Sequence, residues 1–78
     1  MSTILIVDDD PHLRELASVF LQHEGFDVSE ACDGVEALSA LERLKVEMVI
    51  LDIMMPKMDG WELCRQLRRW YEFPILCS

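Results

Sequence analysis

Residues 49–63 read VILDIMMPKMDGWEL. An apolar run ends in one aspartate, Asp52. Two methionines and a proline follow, and a second acid, Asp59, precedes Gly60. A carboxylate placed where a buried strand runs out is either a plain strand end or the centre of the chemistry. The flanking sequence decides between the two.

Upstream, ILIV (4–7) is another continuous apolar run, β-branched, and it stops at Asp8-Asp9-Asp10. It reads as a fully buried strand. Asp10-Pro11 supplies an N-cap with proline at the first helical position. Leu13, Leu16, Ala17, Phe20 and Leu21 then form an apolar stripe at i, i+3, i+4, i+7 and i+8, and Gly25 suits the C-terminal cap. FDVSEA (26–31) is a weakly alternating strand expected near an edge. Asp33 and Glu36 make a capping-box pair that opens a second helix with Ala37, Leu38, Leu41 and Leu44 facing inward. Val46–Leu51 is the strand that Asp52 ends. Asp59-Gly60 opens a third helix whose inner face carries Leu63, Cys64, Leu67 and Trp70 or Tyr71, and ILC (75–77) after Pro74 is a further buried strand. This βαβαβαβ order, with strands too apolar to face water, calls for an α/β fold: a parallel sheet with helices on both faces. Right-handed crossovers reduce it to a doubly wound sheet.

The 78 residues make one domain, 1–78, small enough to bury only roughly 60–65% of its unfolded surface. Hydrophobic residues are 51% and the net charge is −8, from 15 acids against 7 bases. That balance argues against direct contact with nucleic acid or an anionic membrane, and leaves room for a cation or a basic partner. Cys32, Cys64 and Cys77 are odd in number and widely spaced, with no CxxC. They are expected to be reduced thiols used as small hydrophobes. The start MSTILIVDDD has no basic leader segment, and no apolar run approaches the ~20 residues of a membrane span. A soluble, cytoplasmic protein is expected.

Ligands of doubly wound sheets bind beyond the carboxyl ends of the strands, where the strand order reverses. In the flavodoxin-like order 2-1-3-4-5 the first and third strands are neighbours there, so Asp8, Asp9 and Asp52 converge from positions up to 44 residues apart. Like charges a few ångströms apart destabilise the fold unless a cation intervenes. Mg2+, held by one or two carboxylates plus waters and phosphoryl oxygens, resolves that conflict. Each element alone also has a plainer reading. Asp8-Asp9-Asp10 reads first as a solvated turn plus a cap, and Asp52 equally as a strand end. Asp59 reads as a cap, Gly60 as a backbone requirement, and His12 and His23 as exposed helix residues. Met54, Met55 and Met58 read as core filler. The joint pattern is what lifts the functional reading.

That joint pattern, ILIVDDD (4–10) and LDIMMPKMDG (51–60) with Asp52 standing 44 residues after Asp8, resembles the receiver domain of two-component response regulators over the whole chain. The resemblance implies that Asp52 is the phosphoacceptor, taking a phosphoryl group from a sensor histidine kinase. It implies Mg2+ bound by Asp9 directly, by Asp8 through water, by Asp52, and by the backbone carbonyl of Met54. Pro56, Asp59 and Gly60 would shape the loop, and the chain would not be an enzyme in its own right. Receivers run to roughly 120 residues, within the common domain range. This chain stops in the family's fourth strand, so the fifth strand with its phosphate-binding lysine and the last two helices are expected to be absent. Ser78 lies beside, not on, the position of the family's phosphate-bonding Thr or Ser.

The departure makes an alternative expectation: an inactive receiver fragment that keeps its metal site. The first helix would lack its packing neighbour and the third and fourth strands would be bare on one face. The exposed fourth strand would then promote homo-oligomers. Metal binding is expected to survive, with phosphorylation weak or absent. An aspartate-nucleophile phosphatase of the haloacid dehalogenase type is disfavoured, because its second aspartate would fall at Met54. A flavin-binding flavodoxin is disfavoured by an acidic first loop that repels phosphate.

Overall fold

The computed structural model describes residues 2–53 and 60–77. Strand β1 (Thr3–Val7) leads into helix α1 (Pro11–His23), β2 (Asp27–Ala31), α2 (Gly34–Arg43), β3 (Met48–Leu51), α3 (Gly60–Trp70) and β4 (Ile75–Cys77). The four strands form one parallel sheet in the order β2-β1-β3-β4. The doubly wound flavodoxin-like arrangement expected from the sequence is therefore what the described residues form. From β1 the chain moves one way to β2 and then back across β1 to β3. With right-handed crossovers this puts α1 on one face, and α2 and α3 on the other.

Local chemistry sets the helix ends. The Asp10 carboxylate accepts the N–H groups of His12 (2.9 Å) and Leu13 (3.3 Å), capping α1 above Pro11. Gly25, at φ +97°, turns the chain out of that helix. Its N–H donates to the Gln22 carbonyl, and Phe26 N–H reaches back to Leu21. At α2, Asp33 accepts the Glu36 N–H (2.8 Å) and Glu36 accepts the Cys32 N–H (2.8 Å), a reciprocal cap.

The core lies between the sheet and α2/α3. Leu5, Val7, Val49, Leu51 and Ile75 meet Ala37, Ala40 and Leu41 of α2 and Leu63, Cys64 and Leu67 of α3. By strand alternation Ile4 and Ile6 point to the α1 side, where they are equally buried. Trp70 is exposed, and Tyr71 takes the inner position, half-buried and stacked on Phe73 at 4.9 Å. β2 is an edge strand as expected, and β3 begins at Met48, two residues later than the sequence pattern suggests.

The structure specifies which face of α1 packs, and it corrects one expectation. The inner face of α1 is the line Arg14, Ala17, Ser18 and Leu21, whereas Leu13, Leu16 and Phe20 are 56%, 68% and 62% exposed. Small Ala17 and Ser18 let the helix lie close to the sheet, and the larger residues stand off it. Cys64 and Cys77 are not free thiols but a disulfide, with Cα atoms 6.7 Å apart. Packing of α3 on β4 brings them within bridging reach, which a separation of 13 residues does not reveal. Cys32 remains a thiol, half-buried.

Candidate functional site

The site is built by the register of the sheet. Val7 of β1 pairs with Leu51 of β3, so the residues that follow, Asp8 and Asp52, leave neighbouring strands at the same carboxyl edge. Backbone bonds extend the ladder one step past the strands. Asp52 N–H donates to the Val7 carbonyl at 2.9 Å, and Asp8 N–H to the Ala31 carbonyl at 3.1 Å. The main chain thus brings the two residues to adjacent positions at this edge.

Carboxylate oxygens of Asp8, Asp9 and Asp52 lie within 4.8 Å of one another, all three residues half-buried. Asp8 also accepts the Asp10 N–H at 2.9 Å, so Asp10 splits its work between capping α1 and steadying the turn. Partial burial pushes the Asp8 carboxyl above its ordinary value, and the negative charges of Asp52, Asp9 and Asp10 push the same way. The Asp10 N–H opposes them. Three hard oxygen donors with mutual repulsion, open enough to admit water, fit a small divalent cation better than a soft metal.

Of the other residues singled out in the sequence, Gly60 opens α3 against the backbone of Ile53, where a Cβ would collide with main-chain atoms. Its glycine is needed for that close approach. Met54, Pro56, Asp59 and Ser78 lie outside the described residues. His12 and His23 are exposed, as expected.

Arg14 was not anticipated. One guanidinium nitrogen donates to the Asp8 backbone carbonyl at 2.8 Å and another to Glu30 at 2.9 Å, tying α1 to the ends of β1 and β2. Its signal was present: position 14 falls in line with Ala17, Ser18 and Leu21 at helical spacing. A groove of about 370 Å³ between the last turns of α2 and α3, lined by Leu38, Glu42, Leu67 and Trp70 among others, lies at the opposite edge of the sheet from the acids. Among the described residues no helix is long and apolar enough to cross a membrane.

The chain matches the family model of the response regulator receiver domain over residues 4–78. It is 45% identical over 73 residues to the DNA-binding response regulator MtrA of Mycolicibacterium smegmatis, covering 94% of this chain and 32% of that protein. It thus spans about a third of the length of the curated relatives it matches. The response regulator protein TrrA of Thermotoga maritima, solved in complex with Mg2+-BeF, superimposes with a TM-score of 0.88 at 39% identity, over 96% of this chain and 66% of that one. The structure of histidine kinase ThkA in complex with TrrA gives 0.90 at 38% identity, over 99% and 67%. With its family model, its fold and its relatives in agreement, this chain belongs to the response regulator receiver domains of two-component signalling.

Proposed function

We propose that the chain is a phosphoacceptor: Asp52 receives a phosphoryl group from a sensor histidine kinase, with Mg2+ held by Asp8, Asp9, Asp52 and the Met54 carbonyl. The convergence of the three carboxylates at one strand edge carries this reading. An Asp52 oxygen attacks the phosphorus of a phosphohistidine in line. The O–P bond forms, the P–N bond breaks, and the imidazole leaves and takes up a proton. Asp8 and Asp9 hold the cation side of the site, and the ladder bond from Asp52 N–H keeps the Asp52 backbone at the end of β3 beside them. Bound Mg2+ supplies positive charge that offsets both the carboxylates and the incoming phosphoryl oxygens. The chain stores a signal rather than turning over substrate, in a cytoplasmic setting, with the kinase and not nucleic acid as its direct partner. Its net charge of −8 supports the last point.

A second reading concerns these 78 residues as an isolated polypeptide: a self-associating form that binds metal but does not signal. The edge position of β4, with Leu76 55% exposed, and the outer row Leu13, Leu16 and Phe20 on α1 favour it. Titration with Mg2+ and beryllofluoride, followed by thermal unfolding, separates the two. The phosphoacceptor gains stability from beryllofluoride beyond that from Mg2+ alone, and loses that gain in Asp52→Asn. A response to Mg2+ only, with association by light scattering, would leave the second reading.

A further inference from the structure

The Cys64–Cys77 bridge sits in a closed ring of contacts around Asp52. On one side Leu51, the residue before Asp52, pairs in register with Cys77. On the other side Ile53, the residue after it, packs its backbone on Gly60, one helical turn before Cys64. The disulfide closes this ring covalently. We propose that Cys64 and Cys77 are a reversible thiol–disulfide pair, exchanging with small thiols of the glutathione class, whose state sets how firmly the end of β3 carrying Asp52 is held.

Accessibility defines the chemistry. Cys64 is 2% exposed and sealed in the core, while Cys77 is half-buried at the edge strand. An incoming thiolate therefore attacks Cys77 Sγ. A sulfur–sulfur bond to Cys77 forms, the Cys64–Cys77 bond breaks, and Cys64 leaves as a thiolate that takes up a proton. A second small thiol attacks the mixed disulfide, releasing Cys77 as a thiol and forming the oxidised small disulfide. Two small thiols become one disulfide as one protein disulfide becomes two thiols, and the reverse sequence re-forms the bridge. In a reducing compartment, bridges that persist as catalytic or sensing elements have this transient character. Without the bridge, β4 is held to β3 by a three-residue pairing and to α3 by core contacts and the Arg68 bond to the Ile75 carbonyl at 3.3 Å. The thiol chemistry stands independently of Asp52's role; its effect on phosphorylation rests on the phosphoacceptor reading.

The test uses the 78-residue chain, wild type and Cys32→Ala, equilibrated in oxidised and reduced glutathione at graded ratios without Mg2+ or phosphoryl donor. Thiols are trapped by alkylation and counted by intact mass, and amide exchange is followed at β3, β4 and α3. Cys32→Ala should show two species, with none or two thiols, interconverting with the ratio; the wild type should show one or three. Exchange at Ile50, Leu51 and Leu76 should be about tenfold or more slower in the bridged form. Cys77→Ser should match the reduced form. Two trapped thiols at every ratio, a stable glutathione adduct in place of the bridge, or equal exchange in both forms would overturn the proposal. Labelling with acetyl phosphate and Mg2+ should then proceed at different rates in the two forms. Equal rates would refute the coupling, whereas no labelling in either form would count against the phosphoacceptor reading and leave the thiol result standing.

Discussion

Asp52 donates its backbone N–H to the Val7 carbonyl at 2.9 Å, and its carboxylate lies within 4.8 Å of that of Asp8. The ladder, running one residue past each strand, forces like charges together. Removing one charge should relax the metal-free chain: Asp52→Asn is expected to raise its unfolding free energy by about 0.5–1 kcal/mol. Mg2+ at ten times its Kd should stabilise the wild type by about 1.4 kcal/mol, with most of that gain lost in Asp9→Asn. Chemical denaturation with and without Mg2+ measures both.

The raised Asp8 carboxyl fixes a pH dependence. A folded-state value above the ordinary 3.8 means that the fold prefers the protonated acid. For the metal-free chain this contribution is full below 3.8 and is lost as pH rises through the raised value. Metal binding runs the other way, because protons compete for Asp8. Mg2+ affinity should fall on acidification at a higher pH than an ordinary carboxylate would give. Isothermal titration across the acidic range reads the sign directly.

At Gly60 two effects oppose each other. Alanine normally gains about 0.5–1 kcal/mol over glycine within a helix. Here its Cβ meets the Ile53 backbone, which has no flexible end to swing aside. Overpacking of about 1–3 kcal/mol should win, so Gly60→Ala is expected to destabilise, with a lowered denaturant midpoint as the readout.

Helix α1 gives a test of which face is buried. Leu16 is 68% exposed, so Leu16→Ala should change stability by no more than about 0.5 kcal/mol. Leu63 is fully buried, and Leu63→Ala should cost about 2–5 kcal/mol. Arg14→Ala, though it removes a charged residue from a helix surface, should cost about 1–2 kcal/mol through the unpaired Asp8 carbonyl and Glu30.

These contrasts show what the sequence makes legible. Short apolar runs ending in acids, proline and glycine at the helix ends, and the Asp33–Glu36 cap are local signals, and the structure contains each of them. The meeting of Asp8 and Asp52 was also readable, because the flavodoxin-like order makes the first and third strands neighbours and the acids stand at strand ends. The packed face of α1 was not. Its larger apolar residues mark one stripe, and the stripe that docks is made of small residues and an arginine. The Cys64–Cys77 pairing depends on how α3 lies over β4, a tertiary fact with no local trace. Arg14 carries only a positional signal, because a charged helix residue usually faces water.

The proposed function rests on Asp52 accepting a phosphoryl group. Intact mass spectrometry after incubation with acetyl phosphate and Mg2+ tests it most directly. One added phosphoryl group is predicted, located on Asp52, dependent on Mg2+ and absent from Asp52→Asn. An unmodified chain that still binds Mg2+, or a phosphoryl group retained in Asp52→Asn, would contradict it.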